Sequence, residues 1–212
     1  MLKPICIGGE LFHELIESKS YYLDKTWFIK TIFGDSTSKV ILITRPRRFG
    51  KTLTMSTFCD FLSLCPENPG DVSRQERWFK DTKILKEKEF CSQYMGKFPV
   101  IFITLKSVFG SCFSEAYQQF GSAIYMMLCE FKYLTASTKL NKNEIAEYKR
   151  LKNEKYLCDP KNQNALKNSL SRLCYWLNTH HGIKPILLID EYDVPIAKAA
   201  RRGYYPCPRS QN

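Results

Sequence analysis

The segment Val40-Ile41-Leu42-Ile43-Thr44-Arg45-Pro46-Arg47-Arg48-Phe49-Gly50-Lys51-Thr52 is an aliphatic run that passes into a Gly-Lys-Thr turn. A second aliphatic run, Ile186-Leu187-Leu188-Ile189, ends in Asp190-Glu191. The pair constrains the fold strongly, because each run has the pattern of a buried strand and each delivers chemistry at its carboxyl end. In a phosphate loop the turn's N–H groups wrap the phosphates and the lysine neutralises the outer ones. The Ser or Thr hydroxyl ligates a magnesium ion that also needs a carboxylate nearby. Lys51 and Thr52 fit the first two roles and Asp190 fits the third. Glu191 is the residue expected to orient or deprotonate an attacking water.

One position departs from the usual spacing. Arg45 stands where a first glycine is ordinarily found, five residues before Gly50. Pro46 fixes the backbone where the run ends, and Arg47 and Arg48 add permanent positive charge beside any bound triphosphate.

The rest of the chain alternates strand-like and helix-like segments. Glu10 to Lys19 spaces Leu11, Phe12, Leu15 and Ile16 as a short amphipathic helix. Asp24 is an expected N-cap for a helix through Phe33, with Trp27, Phe28 and Ile32 inward. The Tyr21-Tyr22-Leu23-Asp24-Lys25-Thr26 block before it reads equally well as a capped packing element or as a neighbour of a nucleotide base. Val40 to Thr44 is expected as a strand, followed by a helix from Lys51 to about Leu64 whose N-terminus faces phosphate. A connector bearing Trp78 and Phe79 leads to a strand over Phe98 to Leu105. From Ser111 onward, Phe113, Ala116, Tyr117, Phe120, Ile124, Met127, Leu128 and Phe131 recur three and four apart, as in a long core-facing helix. Asn141 to Asn164 is polar and reads as a helical insertion with mobile ends. A helix around Ala165 to Leu177 then precedes the strand Pro185 to Asp190. This alternation implies an α/β fold with a parallel sheet flanked by helices, right-handed crossovers, and ligand at the carboxyl ends of the strands.

Composition narrows the function classes. With 212 residues, 44% hydrophobic and 25% charged, the chain suits one globular α/β domain. It contains no run near the ~20 apolar residues that span a bilayer and no signal-peptide core, which places it inside the cell, in the cytoplasm, without a membrane partner. Nine cysteines form no Cys-x-x-Cys pair and none sits at ligand spacing with His13, His180 or His181. They read as reduced, small core residues. The formal charge of +11 would attract a polyanion, but it is dispersed. Lys139 to Lys155 mixes five Lys and one Arg with Glu144, Glu147 and Glu154, the pattern of a solvated helix face. Nucleic acid is expected only as a weak electrostatic partner.

Taken together, Tyr21-Tyr22-Leu23-Asp24-Lys25-Thr26, the Thr44-Arg45-Pro46-Arg47-Arg48-Phe49-Gly50-Lys51-Thr52 block and Leu188-Ile189-Asp190-Glu191-Tyr192-Asp193-Val194-Pro195-Ile196 resemble the predicted AAA-ATPase-like family. The blocks occur in that family's order and span nearly the whole chain. The resemblance implies a P-loop NTPase fold in which Arg-Pro-Arg-Arg-Phe-Gly-Lys-Thr is the normal Walker A loop. Arg47, Arg48, Phe49, Gly50, Lys51, Thr52 and Leu53 would then surround ATP, Thr52 and Asp190 would hold Mg2+, and Glu191 would be catalytic in the Walker B segment. It also implies a longer protein, because relatives continue through further strands into a region resembling a PD-(D/E)XK nuclease domain.

On this basis residues 1–39 form an N-terminal helical segment, 40–196 the nucleotide-binding core, and 197–212 an irregular tail. The family's sheet needs a further strand, carrying a polar sensor residue, after Ile196. The remaining residues contain two prolines and no aliphatic run. The sheet is therefore expected to be incomplete at its C-terminal end, so that ATP binding is better supported than ATP hydrolysis. The alternatives are a nucleotide-binding fragment without turnover, a basic nucleic-acid-associated module and a small-molecule kinase. The oligomeric state is not specified by the sequence.

Overall fold

Aromatic rings build the first half of the molecule. The structure, a computed structural model, describes residues 4, 6, 8–34, 38–44 and 49–204, and the chain divides into two compact units, Met1–Val100 and Ile101–Asn212. In the first unit α1 (Phe12–Glu17), α2 (Trp27–Phe33), α4 (Ser73–Phe79) and α5 (Lys88–Tyr94) accompany α3 (Lys51–Leu62). On α3, Phe61 meets Phe79 at 5.3 Å and Phe90 at 6.0 Å between ring centroids, while Phe28 and Phe33 pack on Phe58 at 5.9 and 5.5 Å. Phe12 closes the cluster 4.6 Å from Phe79. Each ring removed from water contributes about 1.5–3 kcal/mol, and edge-on pairs add to that.

Polar bonds fix how these helices sit on α3. Phe12 donates its N–H to Ser56 Oγ at 2.9 Å, and His13 gives both its N–H and its ring Nδ1 to Asp60 at 3.0 Å. Burial pushes the Asp60 carboxyl above the usual range, with the His13 charge and hydrogen bonds pulling the other way. Asp24 does not cap α2. Its carboxylate accepts from the N–H and hydroxyl of Thr26 and from the N–H of Lys83, and Thr26 occupies the cap position. Of the residues expected inward on α2, Phe28 packs on Phe58 and Ile32 is half-buried, but Trp27 is 54% exposed, and the fully buried position is Ile29. The expected connector around Trp78 is helical, and Phe79 is fully buried.

The anticipated strand over Val40 to Thr44 does not form. These residues have no regular structure, and Val40 is 86% exposed. A strand exists only through a hydrogen-bonded neighbour. Among the described residues of this unit, the one ladder contact is the parallel bridge between Ser63 and Phe98.

The second unit holds a two-stranded parallel sheet of β1 (Val100–Thr104) and β2 (Ile186–Asp190), joined through helices. These are α6 (Phe113–Glu130), α7 (Lys142–Leu151), α8 (Glu154–Cys158) and α9 (Gln163–His181), followed after β2 by α10 (Val194–Arg201). Ile101, Ile103, Ile124, Leu128, Leu173 and Trp176 belong to one buried cluster. The polar stretch 141–164 is part of this core and not a loose insertion: Tyr148, Leu151 and Leu157 are buried, and the Tyr148 hydroxyl donates to the Leu128 carbonyl at 2.6 Å. Its charge pattern hid the point because Tyr148 and Leu151 are the few apolar residues of an otherwise solvated helix. Asn141 and Glu144 form a reciprocal cap at its start.

Residues 197–201 were expected to be irregular but complete α10. Pro195 lies in the helix's first turn, where a missing N–H costs nothing, and Ala197, Ala199 and Ala200 are strong helix formers. Residues 205–212 lie outside the described residues. The cysteines, expected as small core residues, are free thiols among the described residues, but only Cys91 of these is buried.

Candidate functional site

Gly50 sets the geometry at the head of α3. It holds φ 75° and ψ 34°, a left-handed conformation natural to glycine and strained for other L residues. Its carbonyl accepts from the N–H of Thr54 at 2.9 Å and from the Thr54 hydroxyl at 2.8 Å. Lys51 and Thr52 are therefore the first residues of a twelve-residue helix. The first N–H groups and the positive dipole end of a helix attract anions. Of the other residues expected around phosphate, Phe49 is 58% exposed, and Arg47 and Arg48 lie outside the described residues.

A cleft of about 100 Å³ opens beside this helix, lined by Leu15, Tyr21, Tyr22, Lys25, Gly50 and Leu53, among others. Thr54, Thr57 and Phe58 continue its wall along α3, one helical stripe at i, i+3, i+4, i+7 and i+8 from Gly50. Of the expected phosphate-loop set, Gly50 and Leu53 line it and Lys51 and Thr52 do not. Tyr22 packs edge-on against Phe12 at 5.1 Å. Burial raises the Tyr22 phenol's pKa, against the lowering effect of its hydrogen bond with Thr57. Leu15, Thr54, Thr57 and Phe58 were invisible as site residues in the sequence, where they look like ordinary helix content. The only available signal was the Tyr21-Tyr22 block.

In the second unit, β2 alternates faces. Leu188 and Asp190 point to a buried side, at 6% and 3% exposure, while Leu187 and Ile189 are each 37% exposed. Asp190 is thus an acid at the carboxyl end of a parallel strand, and its backbone carbonyl accepts from the N–H of Leu105 at 2.9 Å. Glu191 directly follows with φ 54°, and its carbonyl accepts from the N–H of Val194 at 3.1 Å as the chain turns into α10. Left-handed backbone at a non-glycine residue is costly and concentrates at functional positions. Sequence inspection marked Glu191 by residue type alone and did not foresee this conformation.

Among the described residues, no group of three or more His, Cys, Asp or Glu side chains is placed to hold a metal. None of the described helices is long and apolar enough to cross a membrane.

These features define a class: an α/β protein in which a glycine-headed helix and an acidic strand end are the conspicuous polar termini. The chain belongs to the predicted AAA-ATPase family, whose model matches residues 6–207. No curated protein and no solved structure matches it. Membership implies nucleotide use.

Proposed function

We propose that the chain binds MgATP as the P-loop ATPase core of its family, with 40–196 as the nucleotide-binding core. The observation that carries this is Gly50, whose left-handed backbone starts α3 so that Lys51 and Thr52 occupy its first two positions. That is the arrangement a phosphate loop needs. Lys51 neutralises the outer phosphates, Arg47 and Arg48 add charge beside them, and Phe49, Gly50 and Leu53 complete the surround. Thr52 and Asp190 serve the magnesium ion. The donor set suits it, since magnesium keeps several waters and takes only one or two protein oxygens besides phosphate. Glu191 orients the attacking water.

Calorimetry with MgATP tests the binding assignment. Lys51→Ala should abolish the heat of binding while leaving the thermal unfolding profile of the ligand-free protein unchanged. Retained binding in Lys51→Ala would remove the phosphate assignment. Glu191→Gln should spare binding and abolish phosphate release. If the parent chain binds but releases no phosphate, it is a nucleotide-holding module without turnover.

A further inference from the structure

In the second unit α10 ends in a cationic stripe. Ala199 is its buried residue, and Lys198, Arg201 and Arg202 stand three and four apart on another face. Among the described residues no salt bridge engages any of the three. An aromatic ring holds two of them instead: Lys198 Nζ lies 5.1 Å and Arg202 Cζ 5.9 Å from the centroid of Phe109. The face of a ring attracts a cation without neutralising it. Both charges therefore remain available to an anion while their side chains are ordered in advance, which lowers the entropy cost of binding one.

The opening turn of α6 lies beside this stripe. The charge of Glu115 reaches Arg202, and the Glu115 carboxylate is itself committed, accepting from the N–H and hydroxyl of Ser111 at 2.6 and 2.8 Å. The loop before α6 packs tightly on that turn, since a Cβ on Gly110 would lie 2.6 Å from the Ala116 nitrogen. Phe113 opens the helix at 66% exposure, with Tyr117 at 6.2 Å between ring centroids. The neighbourhood thus offers cations one helical turn apart, about 6 Å, and a flat ring left in water. A strand of phosphates carrying unpaired bases matches both features. An acidic peptide matches the cations and leaves the ring unused, and a bilayer calls for a broad apolar face, not rings set singly among charges.

We propose that Lys198, Arg201, Arg202, Phe109 and Phe113 form a surface for single-stranded nucleic acid, with phosphates on the α10 stripe and a base stacked on Phe113. The surface gives part of the +11 formal charge a local use, and it stands independently of the phosphate assignment at Gly50 to Thr52. A duplex fits it less well, because paired bases already stack on one another. A base stacked on an aromatic side chain accounts for roughly five- to a hundredfold in affinity.

Fluorescence anisotropy of the full chain with a short labelled oligothymidylate, over a series of potassium chloride concentrations, tests it. The parent should bind the single strand about tenfold more tightly than the same strand paired in a duplex. Phe113→Ala should weaken binding about tenfold and Phe113→Trp should restore it; the ring is mostly exposed, so its truncation tests stacking without emptying the core. Replacing Lys198, Arg201 and Arg202 by Gln should flatten the slope of log affinity against log salt by about 2. Replacing three exposed lysines elsewhere in the unit, Lys142, Lys149 and Lys155, by Gln should leave that slope as it is. Equal flattening by the two triple variants would show that net charge alone attracts the strand and overturns the surface. So would equal affinity for duplex, or no binding at low salt. Polyglutamate displacing the strand at equal charge concentration would make the stripe a site for acidic protein. Co-sedimentation with phosphatidylserine vesicles that is lost in Phe113→Ala would make it a membrane contact, and either result overturns the assignment.

Discussion

Glu191 is expected to cost the fold stability, and replacing it with glycine should make the protein sturdier. Its φ of 54° puts Cβ in the left-handed region, a penalty of about 1–2 kcal/mol for an L residue. Glycine removes that penalty but gives back about 0.5–1 kcal/mol through the greater freedom of the unfolded chain. Glu191→Gly should accordingly be more stable than Glu191→Ala by roughly 0.5–1 kcal/mol, while both lose the carboxylate equally. Asn, which tolerates this region, should fall between them. For a chain of this length the difference corresponds to a rise of about 1–4 °C in midpoint. Urea unfolding followed by circular dichroism measures it, with the alanine variant as reference. The glutamate's partial exposure keeps lost side-chain contacts small. If Glu191→Ala proves as stable as Glu191→Gly, the left-handed turn between β2 and α10 is not strained and the reasoning is wrong. Phosphate release should vanish in all three variants, so in Glu191→Gly stability would rise as function falls.

Two further outcomes concern the second unit. His181, whose Nε2 lies 2.9 Å from the Tyr133 hydroxyl, has its pKa lowered to about 4 by burial first, then by His180 and Lys139. A base whose folded pKa is depressed contributes stability that is complete above about 6.5 and is lost as pH falls from there toward 4. The full shift corresponds to roughly 3 kcal/mol, and because the ring is about half solvated, screening leaves about 1 kcal/mol. The stability difference between the parent and His181→Gln should shrink by that amount between pH 7 and pH 4 in urea titrations, and a difference that stays flat would contradict the assignment. Gly121 on α6 packs against α8 so closely that a Cβ would lie 2.8 Å from Cys158 Sγ and 3.2 Å from both Cys158 Cα and the Leu157 carbonyl. Helix propensity alone favours Gly121→Ala by about 1 kcal/mol, but overpacking against backbone costs about 1–3 kcal/mol. The variant should be destabilised in the same assay, and a gain in stability would show that α8 yields freely.

Local pattern was the reliable part of the sequence. The three- and four-residue spacing in α6 and α9, the strands ending at Thr104 and Asp190, and the helix that starts at Lys51 were all legible, because each depends on periodicity and end signals within one segment. Segments whose state depends on a distant partner were not. Val40 to Thr44 has every residue a strand favours and yet forms none among the described residues, since a ladder needs a second chain segment and propensity supplies none. Tyr148 and Leu151 looked like incidental members of a charged helix until Leu128 and Trp176 were found against them.

The candidate site divides in the same way. Residue type and order alone determined which side chains have the chemistry: an ammonium and a hydroxyl after Gly50, a paired acid after Ile189, and the block pattern that marks the family. Only tertiary structure decided that Tyr21 and Tyr22 line a cleft with Gly50 and Leu53, that Thr54 turns its proton inward, and that Glu191 sits in left-handed backbone. Chemistry is carried by single residues and can be read one at a time. A cleft, a committed hydroxyl proton and a strained turn are relations between atoms far apart in the chain, and no one-dimensional pattern encodes the distance between them.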